Sequence, residues 1–438
     1  MTTELPARVR RGYALGSVAT GTFGTVPGLL LLPYLTDTIG IGAALAGVLV
    51  FAPKAWDVVL NPIAGRISDR STHQAGRRRP FLVRAGLTLA VLFAVMFAGP
   101  TQPQAFAAAW VALAFLGCAS AYAFFQVPYV AMPAELTLDY AERTRLMTWR
   151  VVVLALAILL SGATAPIVAD ELGHTAMGAY IGVVIALGAL GAWWGTRGAP
   201  EHRSDTAPGT LRDQLRLVGA NADFRAVLLT FVVQAAAVGT VLAGVAYVAD
   251  DLLDSTAANT FLFVAFVGPA LLVTPLWERY ATRRGKRSGY VASSGFLIVG
   301  MTALLSAHAG WTALTYVAAA LVGIGYAGAQ VFPMAMLPDV AADDALRSGA
   351  NRIGVFTGVW TAGETLGLAL GPGIFALALS AGGYVSSTGD VTVDQPDGAR
   401  LAIAIGFSLV PAALTALSLV LLRGYRLDDR LRSADVPR

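Results

Sequence analysis

Three polar residues with the potential to bind ions lie in one apolar stretch of the chain. Lys54, Asp57 and Asn61 fall within residues 41–67 at spacings of three and four, so a helix places them on one face. A charge in hydrocarbon costs at least ~2.5 kcal/mol, and such residues mark ion or proton pathways. We predict that Asp57, with Lys54 and Asn61, binds a cation or a proton. The alternative is a structural ion pair between Lys54 and Asp57.

Two more ionisable residues interrupt apolar runs. Glu364 lies in TAGETLGLALG, and Arg150 directly precedes the run VVVLALAILL. A carboxyl in such surroundings is suited to taking up and releasing a proton, so Glu364 is a second candidate for proton exchange. The alternatives are a pair between Glu364 and Arg352 or another base, and an Arg150 side chain that extends to the membrane surface.

Membrane spans must position these side chains. The 438 residues are 56% hydrophobic and only 13% charged, with a mean hydropathy of +0.65, which excludes a water-soluble domain. Unbroken apolar runs exclude a transmembrane barrel, whose strands alternate apolar and polar residues. We predict an all-α protein with twelve transmembrane helices, near residues 13–36, 41–67, 80–99, 104–131, 148–169, 175–196, 224–249, 258–280, 289–307, 311–337, 354–381 and 400–422.

Charge distribution predicts the orientation of the spans. Basic residues crowd both tails and alternate loops, as in GRRR at 76–79 and RRGKR at 283–287, whereas the opposite loops are mainly acidic. The excess of positive charge places those loops and both termini in the cytoplasm. We therefore expect a multi-pass protein of the cell (inner) membrane. The first apolar run is too long for a cleavable signal.

The chain divides into two similar halves. A polar stretch near the midpoint predicts a six-helix bundle over 1–198, a cytoplasmic linker over 199–220, and a second bundle with a cytoplasmic tail over 221–438. QVPYVAMPAELTLDYAER from Gln126 is echoed by QVFPMAMLPDVAADDALR from Gln330, and PIAGRISDR from Pro62 by PLWERYATR from Pro275. Duplicated halves are typical of secondary transporters, with the substrate site between them near the midplane.

The repeated acids and the nearby arginines predict a gate on the cytoplasmic side. A shift of 204 positions superimposes the acids and arginine of the first motif on those of the second. We predict that these residues form salt bridges that tie the two halves together and that break and reform during transport. The predicted gating residues are Asp69, Arg70, Arg77 with the neighbouring Arg78 and Arg79, Glu135, Asp139, Arg143, Asp339, Asp343 and Arg347.

The sequence also resembles a known family. WDVVLNPIAGRISDRSTHQAGRRRPF from Trp56 and VPYVAMPAELTLDYAERTRLMTWR from Val127 resemble the glycoside-pentoside-hexuronide:cation symporters, the melibiose-permease branch of the major facilitator superfamily. The resemblance covers nearly the whole chain, and it implies a major facilitator fold of two pseudo-symmetric bundles. It places Asp57 on the first of two acidic residues in the family's cation site.

The chain departs from the family at several functional positions. Asn61 stands where the family has its second acid, which weakens a sodium site and favours a proton, or no cation. The family's charged sugar contacts fall on Thr20, Gly21 and Gln126, and Glu364 stands where the family often has a lysine. The candidate substrate contacts are therefore Gln126, Arg150, Tyr122, Tyr326 and Trp56. The alternative for Gln126 is a contact between helices, and for the aromatic residues it is packing.

These observations predict a secondary active transporter that works by alternating access. We expect proton-coupled import of a sugar or glycoside, with Asp57 and Glu364 as coupling acids. The rival is a carrier or exporter of a less polar or amphiphilic molecule, with or without coupling, because three charged sugar contacts are missing. An enzyme is disfavoured, since the four histidines are far apart and no nucleophile motif occurs. We expect a monomer in the bilayer, with no metal, cofactor or nucleic acid.

Overall fold

The computed structural model describes residues 5–69, 71, 73, 76–137, 140–199, 216, 219–348, 353–386 and 394–427. These residues are almost entirely helical, and no strand occurs among them. The chain forms two compact units, Met1–Pro208 with Ser386–Thr392 and Gly209–Val385 with Val393–Arg438. Most of the polar stretch between the halves lies outside the described residues, so the predicted linker boundaries stay a prediction.

The first unit contains five helical elements. They are α1 (Ala7–Pro33), α2 (Ala43–Asp69), α3 (Arg79–Phe97), α4 (Gln104–Leu136) and α5 (Tyr140–Thr196), and α1 continues into a π-helical turn at Tyr34–Thr38. Gly173 interrupts α5 with φ 85° and ψ 162°, a backbone conformation that essentially only glycine adopts. Both arms of α5 pack on α1, through Leu154 on one arm and Gly195 on the other. The element therefore contains the fifth and sixth spans.

The second unit repeats this arrangement. It contains α6 (Ala222–Tyr247), α7 (Thr256–Arg284), α8 (Lys286–Ala303), α9 (Thr312–Ser348), α10 (Ile353–Ala381), α11 (Asp397–Phe407) and α12 (Leu409–Leu422). A π-helical turn at Val248–Leu252 follows α6, as the turn at Tyr34–Thr38 follows α1. The twelfth span consists of α11 and α12, which are separated at Ser408, where φ is −118° and ψ is −71°.

Eleven helical stretches of the described residues are long and apolar enough to cross a membrane. One of them, Trp149–Thr196, contains the two spans that meet at Gly173, so the total agrees with the predicted twelve. Large apolar side chains on these helices face outward, such as Leu172 at 71% and Leu272 at 80% exposure. In a bilayer these side chains contact lipid, so the all-α membrane fold is confirmed.

Close glycine contacts hold the first helix of each unit in place. A Cβ added to Gly12 of α1 would lie 2.3 Å from the Cα of Gly195, and one added to Gly371 of α10 would lie 2.5 Å from the Cα of Gly239 on α6. Real Cβ atoms do not approach other atoms so closely, so a larger residue at either place would push the helices apart. Small residues of this kind allow the close backbone packing that stabilises membrane bundles.

Candidate functional site

Asp57 lies at the centre of the candidate cation site, on α2. Its side chain is buried, with 1% of the residue exposed, and neither carboxyl oxygen has a hydrogen-bond partner among the described residues. An isolated carboxylate in such surroundings is strongly unfavourable unless it gains a counter-charge or a proton. The geometry therefore fits a group that binds a cation or a proton.

Lys54 points to aromatic rings and makes no ion pair with Asp57. Its ammonium nitrogen lies 4.4 Å from the ring centroid of Phe23 and 5.8 Å from those of Phe115 and Tyr122. We call these three rings the aromatic cage. Within the described part of the chain, both oxygens of Asp57 lack a hydrogen-bond partner. The alternative of a structural ion pair between the two residues is therefore not what the structure shows.

One face of α4 carries the candidate substrate contacts of the first unit. Phe115, Tyr122, Gln126 and Tyr129 are spaced seven, four and three residues apart, so they line one side of the helix. The amide oxygen of Gln126 is buried and has no hydrogen-bond partner among the described residues. Gln126 therefore retains an acceptor for a ligand hydroxyl, as predicted for a substrate contact.

Arg150 belongs to a second aromatic group, which we call the tyrosine cluster, made of Tyr13, Ser17, Tyr129 and Arg150. Its guanidinium carbon lies 5.7 Å from the ring centroid of Tyr129, which stacks on Tyr13 at 4.7 Å. The Tyr129 hydroxyl hydrogen-bonds Ser17 at 2.8 Å and donates to the Tyr13 carbonyl at 2.9 Å. Nε of Arg150 and the Tyr13 hydroxyl have no partner among the described residues. Both are donors that a polar ligand can use.

Sequence reasoning missed Phe23, Phe115, Tyr13, Ser17 and Tyr129. A signal was present for the α4 residues, because Phe115 and Tyr129 continue the helical face marked by Tyr122 and Gln126. No comparable local signal identifies the α1 residues, because their role depends on which helix packs against α1.

Trp56 connects α2 to α4. Its indole nitrogen donates a hydrogen bond to the Ser120 hydroxyl at 3.3 Å, while 42% of the residue is exposed. This contact explains why a tryptophan suits the position in the helix pair. Its predicted contact with substrate stays a prediction.

Glu364 and Tyr326 lie close together in the second unit. Glu364, on α10, is half-buried and within electrostatic range of the Tyr326 side chain on α9. Tyr326 also interacts with the side chain of Gln330 and packs 5.1 Å from the Phe266 ring centroid. The structure thus brings together an acid, a phenol and an amide that the sequence placed on two helices. Arg352, the predicted alternative partner of Glu364, lies outside the described residues.

Glu135, at the end of α4, is the centre of a buried salt bridge. Its carboxylate accepts a hydrogen bond from Nε of Arg78 at 2.7 Å and lies 3.8 Å from Arg77. Arg78 also donates to the Ser68 hydroxyl at 3.4 Å. Of the three consecutive arginines at 77–79, Arg78 is thus the principal partner of Glu135.

The second unit has the corresponding acid, Asp339, on the matching helix α9. Lys286 donates to Asp339 at 2.5 Å and to the Ala335 carbonyl at 2.9 Å, and Arg347 pairs with Asp343 at 3.0 Å within α9. Each of these ion pairs, like that of Glu135, joins residues of one unit. The predicted networks between the two units stay a prediction.

Several predicted gating residues fall partly or wholly outside the described part of the chain. Arg70 and Asp139 are not among the described residues, and only the helical backbone is described for Asp69 and Arg143. Their roles in the gate stay predictions.

Comparison with known proteins agrees with this architecture. Residues 12–429 match the family described as MFS/sugar transport protein. The isoprimeverose transporter of Lactiplantibacillus pentosus is 23% identical over 97% of this chain and 89% of its own length. The sodium-dependent lysophosphatidylcholine symporter 1 of Mus musculus is 24% identical over 96% and 85%.

A solved structure supports the same fold. The inward-facing bacterial homolog of the human lysosomal transporter Spinster superimposes with a TM-score of 0.65, at 16% identity over 98% of this chain and 97% of that one. At this identity the likeness concerns the fold alone. Taken with the family match and the apolar helices, it establishes that the chain belongs to the MFS/sugar transport protein family and is an integral membrane transporter.

Proposed function

We propose that this transporter is a proton-coupled symporter of a sugar or glycoside that works by alternating access. The observation that carries the proposal is the buried carboxylate of Asp57, whose two oxygens have no hydrogen-bond partner among the described residues. A transporter that needed this residue only for packing would gain nothing from such a group. Asn61 leaves the site one carboxylate short of the family's pair, which favours a proton over a hard alkali cation.

The first unit supplies suitable contacts for a polyol. Gln126 offers an unpaired acceptor, Arg150 an unpaired donor, and Tyr122 an aromatic face. Sugars combine hydroxyl groups that need hydrogen bonds with C–H faces that pack on aromatic rings. The isoprimeverose transporter among the relatives supports a saccharide of this kind.

Glu364 is proposed as the second coupling acid. It interacts with Tyr326, so a change in its charge reaches an aromatic residue that is itself a candidate substrate contact. Reversible protonation at Glu364 would compensate for the acid replaced by Asn61.

The proposal places the protein in the cell (inner) membrane as a monomer, with both termini in the cytoplasm. The basic loops support this orientation, because positive residues are retained on the cytoplasmic side. The acids and arginines at the cytoplasmic ends of the helices are proposed to rearrange as the cavity changes its side of access.

A second candidate function is transport of an amphiphilic molecule. A small cleft in the second unit is lined only by apolar side chains, and the mouse relative is a lysophosphatidylcholine symporter. An apolar lining of this kind suits an acyl chain better than a sugar, whose hydroxyl groups need polar partners. The lining includes Val238, Val241, Leu262, Phe263, Phe266 and Phe407.

The test measures the pH outside lightly buffered, de-energised cells while mono- and disaccharides are added one at a time. Proton symport predicts alkalinisation on addition of the substrate. We expect Asp57→Asn and Glu364→Gln to reduce this signal at least ~10-fold, because each removes a proton-exchanging group. Asp254→Asn is the matched control: this aspartate is exposed, and its positive φ of 50° suits asparagine equally well.

The same cells distinguish the two candidate functions. A signal that persists in Asp57→Asn would refute the role of Asp57. Silence across the sugar panel, with a correctly inserted protein, combined with uptake of a labelled lysophospholipid, would replace the sugar proposal with the amphiphile carrier.

A further inference from the structure

The ammonium group of Lys54 lies against aromatic rings, although the carboxylate of Asp57 is on the same face of the helix. Oppositely charged residues three apart on a helix are neighbours and attract each other. The Lys54 ammonium is nevertheless directed to the aromatic cage, 4.4 Å from the Phe23 ring centroid, while the Asp57 carboxylate has no hydrogen-bond partner among the described residues. The cage must therefore compete with the carboxylate for the ammonium group.

The cage is built for a cation. Phe23 comes from α1, and Phe115 and Tyr122 come from α4, so three rings from two helices surround an ammonium group from α2. Phe23 contacts Tyr122 at 4.6 Å and Phe115 at 6.3 Å between ring centroids, so the rings support one another. The attraction of a cation to aromatic faces becomes stronger when water is excluded, and both phenylalanines are fully buried.

An ion pair with Asp57 is the competing position. Burying an ion pair sacrifices the hydration of both groups, which offsets much of their mutual attraction. The cage and the carboxylate are thus two alternative positions for one flexible side chain. Lysine suits such an exchange because its ammonium is a compact charge on a long stem.

From this geometry we infer that the Lys54 ammonium alternates between the aromatic cage and Asp57. With Lys54 in the cage, the carboxylate is open to the coupling proton or cation; with Lys54 on Asp57, it is closed. Lys54 is therefore a positioning residue that determines when Asp57 is available. The inference rests on the proposed function in one respect, that Asp57 is the coupling acid.

Tyr122 connects this exchange to the substrate. It is a wall of the cage and also a candidate substrate contact on α4. A substrate that packs against Tyr122 changes the cage and so shifts the distribution of Lys54 between its two positions. Occupancy of the substrate site then alters the availability of Asp57 without any contact between substrate and carboxylate.

The test is modification of Asp57 by N,N′-dicyclohexylcarbodiimide, an apolar reagent for buried carboxyl groups, quantified by mass spectrometry. Phe23→Leu keeps an apolar side chain but removes the aromatic face. We expect Asp57 labelling to fall at least ~3-fold as the lysine moves onto the carboxylate. In Phe23→Leu/Lys54→Met, labelling returns to the wild-type level, because no ammonium remains to cover Asp57.

Phe93→Leu is the matched control. Phe93 is also fully buried and contacts Phe23 edge-on at 6.3 Å, but it is not a wall of the cage. Its replacement leaves labelling unchanged if the cage acts through the lysine. Phe115→Leu is the second cage variant, expected to act in the same direction and used if Phe23→Leu is not recovered as a monodisperse protein. Asp57→Asn identifies the labelled peptide.

Three results would overturn the inference. They are unchanged labelling in Phe23→Leu, an equal loss in the double variant, and absence of Asp57 labelling in the wild type. The labelling uses no substrate, so its outcome is separate from that of the transport assay. If no sugar causes alkalinisation but the labelling follows the expected pattern, the proposed function is refuted and the alternation of Lys54 still stands.

Discussion

The second helix differs in chemistry between two units that share one plan. When Pro62 is aligned with Pro275, the three polar residues of the candidate cation site on α2 correspond to Val267, Ala270 and Thr274 on α7. Both helices pack on the fourth span of their own unit, α2 on α4 and α7 on α9. The packing is therefore repeated, whereas the ionisable groups are present in one unit only. The proposed cation site needs ionisable residues on one helix only, and a second such helix would add only the cost of desolvation.

A glycine with positive φ lies between the second and third helices of both units. Gly76 has a φ of 104° and Gly285 a φ of 93°, and each is followed by basic residues. One of these residues in each unit pairs with an acid in the C-terminal part of the helix that forms the fourth span. These pairs are Arg78 with Glu135 and Lys286 with Asp339. Ion pairs between helices are thus kept in both units, whereas the polar residues of the candidate cation site are not.

The largest difference we expect concerns the two ion pairs. Glu135→Ala leaves the nearly buried Arg78 without its counter-charge, which costs about 3–5 kcal/mol. Asp339→Ala removes the partner of Lys286, whose side chain is already partly solvated. This loss should cost at most about 1 kcal/mol of unfolding free energy. Thermal unfolding of the detergent-solubilised variants measures both. Equal losses of unfolding free energy in the two variants would contradict the expectation that the more buried ion pair contributes more to stability.

A smaller effect is expected at the two glycines with positive φ. Gly285→Ala places a Cβ at φ 93° and ψ 158°, a region that essentially only glycine occupies, and should cost about 1–3 kcal/mol. Gly76→Ala should cost a similar amount, because its φ is also positive. The control is Gly295→Ala on α8, where no atom would lie within 4 Å of the new Cβ and alanine should stabilise the helix. If Gly295→Ala destabilised the protein and the two variants at positive φ did not, the expectation that positive φ sets the cost would be contradicted.

Asn61→Asp sharpens the contrast between α2 and α7. It restores the second carboxylate beside Asp57, so we expect sodium to stabilise the variant by about 1.4 kcal/mol at ten times its Kd, relative to choline. Thr274→Asp introduces an acid at the matching place on α7, where no aspartate stands one turn earlier, and should show no sodium-dependent stabilisation. The measurement is the unfolding temperature in matched chloride salts. Equal responses of both variants would remove the distinction between the units.

The smallest effect is expected for Thr274→Ala. The Thr274 hydroxyl donates to the Ala270 carbonyl of its own helix at 2.8 Å, so its loss leaves no buried donor unpaired. We expect the unfolding free energy to change by no more than about 0.5 kcal/mol. Transport should keep the wild-type response to added substrate. A loss of coupled transport in this variant would assign α7 a role in cation binding that its residues do not suggest.

Much of the fold followed from local patterns. Apolar runs of sufficient length identified the spans, because no water is available in the bilayer to satisfy an unpaired backbone. Asp57 and Glu364 stood out for the same reason, since an ionisable group in such a run needs an explanation. The repeat around Gln126 and Gln330 also paired Glu135 with Asp339 before any contact was known.

Other parts of the site did not follow from the sequence. Spacing on α2 favoured a contact between Lys54 and Asp57, but the lysine contacts Phe23 and Tyr122 instead. Phe23 is distant from both α2 and α4 along the chain, so only the packing of α1 brings it to the ammonium. The partner of Glu135 was equally undetermined, because three consecutive arginines follow Gly76 and burial selects Arg78.

The amino-acid sequence by itself determined the membrane class, the duplication and the few positions where charge enters hydrocarbon. Each of these depends on residue type and spacing along the chain. The tertiary structure decided which groups those charges meet: an aromatic cage for Lys54, surroundings without a hydrogen-bond partner among the described residues for Asp57, and Tyr326 beside Glu364. Such contacts join distant segments, so they depend on how the helices pack.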